Sequence, residues 1–229
     1  MTTIQSIPPA EIQLRRHGHA MRSRLFAMAL DSSDHRLRPV AAGRAAMRHQ
    51  AGLIETMARA SVSQLQTGWR LPPPRPDRPV AIQRHVVVPE NAVRRCPLLA
   101  APELGIRLAP VPFDVTLVDD HVAMIEGPAN QDGVPVLFAS TSDDVVRPLR
   151  DLRDDLLAMS DDIDALFAAP TTRQLEVARG LARRDKDVAT ARRLGASVRT
   201  VEREVAAIVE LVGAQNRQEA AMILNGESV

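Results

Sequence analysis

The chain has 229 residues, of which 45% are hydrophobic but only 2% aromatic, so aliphatic side chains must fill its cores. Its 29 basic and 28 acidic residues leave a net charge of +1, which excludes a long-range positive field over the whole chain and confines any nucleic-acid binding to a local patch. The single cysteine, Cys96, excludes an internal disulfide and is typical of a reducing compartment. Neither a signal peptide nor a transmembrane stretch is present, so we expect a cytoplasmic protein without a membrane partner.

The N-terminal part is predicted to be helical. Residues 1–9 have the composition of a flexible tail, and a stripe of apolar residues predicts a helix over Glu11–Leu30. The polar segment Asp31–Pro39 is interpreted as a linker, and a second helix is expected over about Ala42–Trp69. The proline-rich run Pro72–Pro79 should end that helix.

The middle of the chain changes to the pattern of a small mixed sheet. Runs of β-branched residues predict five strands, and the adjacent Asp119 and Asp120 predict a hairpin turn between the third and the fourth. The predicted strands are Val80–Pro89, Gly105–Pro110, Val115–Val118, His121–Glu126 and Val134–Ser140.

Helical spacing returns after Val145, with a narrow apolar seam. The seam is compatible with a helix packed on its own sheet and broken near Ser160, or with a dimer contact. A cluster of aspartates nearby fits a solvated helix face, or a charged contact with the arginine-rich C-terminal region. The seam residues are Leu149, Leu152, Leu156, Met159, Ile163 and Leu166, and the acidic ones are Asp151, Asp154, Asp155, Asp161, Asp162 and Asp164.

The C-terminal region divides into four helical segments, 172–184, 187–194, 198–212 and 216–224. Gly195 is suited to a tight corner between the second and third, and Ser197 is suited to cap the third. A helix, a glycine turn and a capped helix form a helix-turn-helix. On the third segment, helical spacing places Val201, Val205, Ile208 and Val212 in the core, and Arg199, Thr200, Glu202, Arg203 and Ala206 outside.

These residues resemble the LuxR-type (GerE-like) helix-turn-helix domain of bacterial transcription regulators. The resemblance spans about 55 residues and lies in RQLEVARGLA, in the LGxSxRTV core from Leu194 to Val201, and in VGAQNRQEAA. It implies that Thr200 holds phosphate, that Arg199 and Arg203 contact the DNA backbone or base edges, and that Val201 packs beneath them. The DNA-binding residues predicted in this way are Lys186, Ser197, Arg199, Thr200, Val201, Glu202 and Arg203.

The region 42–158 resembles, more faintly, the sensor domain of TrmB-like regulators, a relative of the phospholipase D fold. The resemblance lies in Glu103–Gly127 and in GVPVLFASTSDDVVRPLRDL. Together the two resemblances imply an α+β protein with N-terminal helices, a small mixed α/β domain and an all-α four-helix domain. The expected divisions are an N-terminal tail and helix (1–40), a degenerate sensor or dimerisation domain (41–159), a linker (160–170) and the helix-turn-helix domain (171–229).

Several positions depart from the LuxR-type pattern. Arg184 and Asp185 stand where that family has a glycine and an apolar residue, and Thr190 replaces a buried aliphatic residue. Glu202 and Glu204 stand where basic or amide residues are usual. A carboxylate repels phosphate, although Glu202 could instead accept a hydrogen bond from cytosine.

No enzyme is expected. Phospholipase D chemistry needs a His-x-Lys arrangement, but the one lysine, Lys186, lies far along the chain from His85 and His121. His17 and His19 lie two residues apart, so on a helix they point to different faces, and no cysteine accompanies them; no metal site is predicted. Gly-rich phosphate loops are absent, and no cofactor is predicted.

Two functions follow. The first is a homodimeric regulator of double-stranded DNA, with a small molecule or a protein as an effector at the middle domain. The alternative is a regulatory interaction protein whose degenerate helix-turn-helix no longer binds DNA and docks on another regulator.

Overall fold

The computed structural model describes residues 8–68, 70–71, 82–163 and 166–227. Helices and strands are both abundant there, as the predicted α+β class requires. The chain forms two compact units: the first comprises Met1–Thr67, Val80–Val87 and Ala109–Ser160, and the second Gly68–Pro79, Val88–Leu108 and Asp161–Val229. The expected domain limits stay a prediction, and these units follow different limits because 88–108 group with the C-terminal helices. Most of the predicted tail, the run Pro72–Pro79 and Asp164 lie outside the described residues.

Helices and strands are interspersed along the described part of the chain. The helices are α1 (Pro9–Leu30), α2 (Arg44–Thr56), α3 (Glu90–Arg95), α4 (Asp143–Ala158), α5 (Thr172–Ala182), α6 (Asp187–Leu194), α7 (Val198–Leu211) and α8 (Arg217–Leu224). The strands are β1 (Arg38–Ala42), β2 (Ser61–Leu65), β3 (Gln83–Val88), β4 (Ile106–Leu108), β5 (Val115–Val118), β6 (Val122–Glu126), β7 (Val136–Ser140) and β8 (Asp161–Asp162).

A mixed sheet forms the centre of the first unit, with its strands in the order β1-β7-β6-β5-β2-β3. Strands β5, β6 and β7 form an antiparallel meander, β2 is antiparallel to β5, and β2 is parallel to β3. Side chains alternate between the two faces. Val115 and Leu117 of β5 join the cluster that contains α1 and α4, whereas Val118 joins the cluster that contains α2. Helices therefore cover both faces of the sheet.

Helix α4 packs on this sheet within its own chain. Its seam residues Leu149, Leu152 and Leu156 are buried in the cluster that α4 shares with α1. The helix ends at Ala158, before the predicted break near Ser160, so Leu166 is not part of it. The packing of the seam on the protein's own sheet is thus confirmed. On the same helix, Asp154 forms an ion pair with Arg153 at 2.8 Å.

The prediction of one helix from Ala42 to Trp69 is wrong. Helix α2 ends at Thr56, and β2 begins at Ser61. Val62 and Leu65 are almost fully buried in β2, which lies between β5 and β3. Hydrogen bonding to two strands and burial on both faces override the weak helical spacing of this segment. The predicted linker Asp31–Pro39 likewise runs into the edge strand β1.

Asp119 connects the β5–β6 hairpin by hydrogen bonds to the segment that follows α2. Asp119 and Asp120 form the predicted turn with positive φ angles of 51° and 57°. The Asp119 carboxylate accepts hydrogen bonds from the backbone N–H groups of Arg59, Ala60 and Ser61, at 2.8, 2.7 and 2.8 Å. These bonds, that from Ser61 foremost, lower the pKa of Asp119.

Because the pKa of folded Asp119 is lowered, its charge stabilises the fold above the ordinary aspartate pKa of about 3.9 and ceases to do so as the pH falls through the lower folded value. We expect Asp119→Asn to lower the free energy of unfolding at pH 7, and the difference from the wild type to become smaller at pH 3. Asparagine tolerates the positive φ, so the substitution removes the charge and one of the two acceptor oxygens without straining the backbone. Urea titrations at pH 7 and pH 3 measure this difference, and an equal deficit at both would contradict it.

Gly18 fixes how α1 lies on the first unit. The apolar residues of α1 at this face are buried, and a Cβ on Gly18 would lie 2.4 Å from Pro112 Cγ. The helix can approach Pro112 so closely because glycine has no side chain. By contrast, a Cβ on the helical Gly52 would meet nothing within 4 Å.

We expect Gly18→Ala to reduce the free energy of unfolding by about 1–3 kcal/mol, because the added methyl group overpacks the contact with Pro112. Gly52→Ala is the matched control. It should raise the stability by up to about 1 kcal/mol, since alanine is the better helix former. Thermal and urea unfolding of both variants measure the effects, and a stabilised Gly18→Ala would be inconsistent with the close contact.

Over the described residues, no helix is both long and apolar enough to cross a membrane.

Candidate nucleic-acid interface

The four predicted C-terminal helices are present in the second unit as α5 to α8, each within two residues of its expected limits. Side-chain caps define the starts of three of them. Thr171 and Gln174 form a reciprocal capping box at α5, and the Asn216 side chain accepts from the Glu219 N–H at α8. Ser197 caps α7, as predicted. These polar residues mark the helix boundaries in the sequence.

Each of the four helices is followed, within two residues of its end, by a residue with a left-handed backbone. These residues are Arg184, Gly195, Gly213 and Gly226, with φ between 61° and 70°. In every case the next residue donates its N–H to a carbonyl five positions back, which is the Schellman arrangement. Arg184 stands where the LuxR-type pattern has glycine, and its non-glycine backbone there costs on the order of 1 kcal/mol.

A small aliphatic core holds the four helices together. The stripe Val201, Val205, Ile208 and Val212 of α7 is buried, as its spacing predicts. Thr190 of α6 is also buried, and its Oγ1 lies 2.8 Å from where a Cβ of Gly180 would stand. Helices α5 and α6 can therefore meet closely at this glycine, which accommodates the departure at Thr190.

The turn between α6 and α7 is only three residues long, Gly195 to Ser197. Helix α6 ends at Leu194, Gly195 takes φ 61°, and α7 begins after Ser197. The Ser197 hydroxyl accepts from the Thr200 N–H at 3.1 Å and shares a hydrogen bond of 2.8 Å with the Thr200 hydroxyl. The turn and the cap together fix the direction in which α7 leaves the corner.

The structure brings most of the predicted residues to the first two turns of α7. Arg199, Glu202 and Arg203 are exposed, and the Arg203 side chain retains 76% of its accessible surface. Val201 lies beneath them, only 1% exposed. Lys186 is exposed at the N-cap position of α6. Their roles in binding DNA stay predictions.

The two glutamates that depart from the pattern differ in their surroundings. Glu202 is exposed, whereas the Glu204 side chain retains only 16% of its accessible surface and lies 3.8 Å from Arg203. Glu204 is three residues from Val201, so it borders the buried stripe instead of the exposed face. Glu204 is therefore less accessible to a phosphate than Glu202 is.

Ion pairs within the second unit neutralise much of its acidic charge. Glu176 contacts Arg179 at 2.5 Å and Arg193 at 2.8 Å, and Asp187 contacts Arg217 at 2.5 Å. Asp185 pairs with Arg183 at 2.9 Å. Among the described residues, the cations without an ion pair include Arg184, Lys186, Arg192 and Arg199. Positive charge is therefore left on α6, on the start of α7 and on the corner before α6.

The segment 88–108 is a part of this unit that the sequence does not predict. The Thr172 hydroxyl at the start of α5 donates to the Glu103 carboxylate, and Arg107 of β4 forms an ion pair with Asp162 of β8. The Leu71 N–H donates to the Leu224 carbonyl at 2.8 Å. Such long-range polar contacts leave no periodic signal in the sequence.

Cys96, in the same segment, is fully buried, and burial raises the pKa of its thiol to about 12. It is therefore protonated at neutral pH and shielded from reagents. Within the described ranges, no group of three or more His, Cys, Asp or Glu side chains is arranged to hold a metal ion.

Of the comparisons with known proteins, only that with solved structures gives matches. No family model matches the chain. No curated protein matches it either. Among solved structures, it is similar to TrmBL2, an archaeal chromatin protein described as having a novel mode of DNA binding, with 10% identity and a TM-score of 0.39. The similarity covers 66% of this chain and 64% of that one, so the chain spans less than two thirds of this relative. A likeness at this level assigns neither a family nor a function.

The cap at Ser197 can be tested against a serine that stands at the N-cap position of another helix but makes no capping hydrogen bond. Ser142 precedes α4, and its side chain makes no capping hydrogen bond. We expect Ser197→Ala to lower the free energy of unfolding by about 1 kcal/mol, because the Thr200 N–H loses its partner. Ser142→Ala should change it by less than half as much. Urea unfolding of the two variants compares them, and equal effects would argue against the cap.

Proposed function

We propose that this protein is a transcriptional regulator that binds double-stranded DNA through α6 and α7. The observation that carries the proposal is the corner between these helices, where Gly195 and the Ser197 cap support an exposed Arg199 and Arg203 above the buried Val201. A helix held in this way can enter a major groove. Its arginines can then bind phosphates or guanine edges.

The electrostatics of the second unit support the same proposal. DNA affinity depends mainly on cations that neutralise phosphates. Glu176, Asp185 and Asp187 pair with other arginines of the second unit. Lys186 and Arg199 therefore keep their charge available for phosphates. Thr200 would add a phosphate contact through its hydroxyl, and Glu202 would accept from cytosine.

The finer parts of the proposal come from the LuxR-type resemblance. We place the protein in the cytoplasm, as a homodimer on a partly symmetric site, because one short recognition helix seldom provides enough affinity alone. The first unit would act as a TrmB-like sensor for a small molecule or a protein. No catalysis is assigned to it.

A second candidate is an interaction protein whose helix-turn-helix docks on another regulator. Two observations favour it: Glu202 is exposed at the start of α7, and Leu211 at the end of α7 retains 41% of its accessible surface. Retention of the protein on heparin or random duplex DNA at low salt separates the two candidates. A protein that is not retained, and that forms a stable complex with a co-encoded protein, would be an interaction protein.

Substitution of the exposed arginines tests DNA binding directly. We expect Arg199→Ala with Arg203→Ala to weaken binding to promoter duplex by at least about tenfold, because each lost contact is worth roughly 1–3 kcal/mol. Thr200→Ala should weaken it less, since one neutral phosphate contact is removed. Fluorescence anisotropy at several salt concentrations measures both.

The matched control for these variants is Arg147→Ala, which removes an exposed arginine from α4 in the first unit. Its affinity for the same duplex should equal that of the wild type. If the double variant bound as tightly as Arg147→Ala, the assigned face of α7 would be wrong.

A further inference from the structure

Helix α1 presents a strongly basic outer face that the proposed function leaves without a role. It carries three arginines, Arg15, Arg16 and Arg22, and His19, all of them exposed, whereas the exposed His17 and Arg24 lie on the opposite flank of the helix. Its one acidic residue, Glu11, pairs with Arg15 at 2.6 Å. In a chain whose net charge is only +1, this helix is a local concentration of positive charge.

The buried side of α1 sets which residues face outward. Leu14, Gly18, Met21, Leu25 and Met28 are buried at helical spacing, and Gly18 lies directly against Pro112. The rotation of the helix about its axis is therefore fixed. Arg15, His19 and Arg22 then lie in one row on the outer side, since residues separated by three or four positions share a helix face. Arg16 lies beside this row.

The acidic charge of the neighbouring helix α4 is paired in part, although among the described residues no ion pair involves its exposed Asp151 and Asp155. Helix α4 belongs to the same buried cluster as α1 and carries several aspartates. Its Asp143 contacts Arg147 and Arg150, at 3.8 and 3.4 Å, and its Asp154 contacts Arg153. Over the described residues, Arg16 and Arg24 form no ion pair, and Arg22 lies over the Phe26 ring at 4.9 Å.

We infer that the outer face of α1 is a second, sequence-independent contact for the phosphate backbone of double-stranded DNA. This inference rests on the proposed function. Arginine guanidinium groups suit phosphate because they offer several donors in a planar fork. Arg15 and Arg22 are about 10 Å apart along the helix axis, and a duplex carries one charge per ~1.7 Å of its axis, so two or three phosphates can lie within reach.

Charge and exposure favour DNA over an anionic membrane as the occupant. A helix that lies on a membrane inserts an apolar face into the lipid. The apolar side of α1 is already buried in the core, and the large apolar residues exposed on its outer side, Ile12 and Leu30, lie near its two ends, too far apart to form one apolar face. A dense polyanion that needs no apolar contact is the partner that such a face fits.

Salt dependence of DNA binding by the full chain tests the inference. The probe is a labelled random duplex, and the variant is Arg15→Gln, Arg16→Gln and Arg22→Gln combined. Each lost phosphate contact should reduce the slope of log K against log salt by about 0.9, so the slope should fall by about 2–3 and the affinity at moderate salt by about tenfold or more. The matched control combines Arg38→Gln, Arg44→Gln and Arg48→Gln, three exposed arginines of β1 and α2. It should retain the wild-type slope.

The outcomes separate this inference from the proposed function. A slope that falls in the α1 variant but not in the control supports the inference. A wild-type slope in the α1 variant, with weaker binding by Arg199→Ala/Arg203→Ala, overturns the inference and leaves the proposed function standing. Equal losses in the α1 variant and the control also overturn it. A wild type that binds no duplex removes the proposed function itself.

The same variants are tested on vesicles of phosphatidylserine and phosphatidylcholine. We expect no binding by the wild type. Binding that the α1 variant loses, together with an unchanged slope on duplex DNA, would assign the face to anionic lipid and overturn the inference.

Discussion

The direction of α7 depends on two local features that lie next to each other in the chain. One is the left-handed backbone of Gly195, and the other is the hydrogen bond from the Thr200 N–H to the Ser197 hydroxyl. The turn ends α6 by returning the Ala196 N–H to the Ala191 carbonyl at 3.0 Å. The cap then starts α7 within three residues. Because the connection is so short, Val201 has to enter the core and Arg199 has to leave it. The interface that we propose for DNA is a consequence of this connection.

The C-terminal helices are predictable because local signals define them. Serine and threonine caps, a glycine at the corner and apolar residues at helical spacing agree over this region, and each acts within four residues. The αL conformation of Arg184 is one that glycine adopts without strain, and the sequence alone does not indicate it for an arginine. Glu204 needs the structure, since its position beside the buried stripe distinguishes it from Glu202.

The first unit is less predictable, for a reason that β2 illustrates. Ser61–Leu65 owes its conformation to pairing with β5 and β3, whose residues lie far away in the sequence. A short strand with partners at that distance has little local pattern, so periodicity alone extends the preceding helix through it. The grouping of 88–108 with the C-terminal helices also depends on contacts between residues far apart in the sequence, such as that between Thr172 and Glu103. By contrast, the Asp119–Asp120 turn joins adjacent strands and is visible in the sequence.

At Arg184, in the corner between α5 and α6, the residue that would be most stable is not the residue that contributes positive charge. Its left-handed backbone is one that glycine adopts without strain, and its side chain is an exposed cation two residues before Lys186. A glycine at this position would make the unit harder to unfold and would also weaken its positive potential. Selection for thermal resistance alone would therefore discard this arginine, whereas selection for a polyanionic partner would keep it. At Arg184, therefore, the effect of a substitution by glycine on stability is opposite to its effect on the affinity for a polyanion.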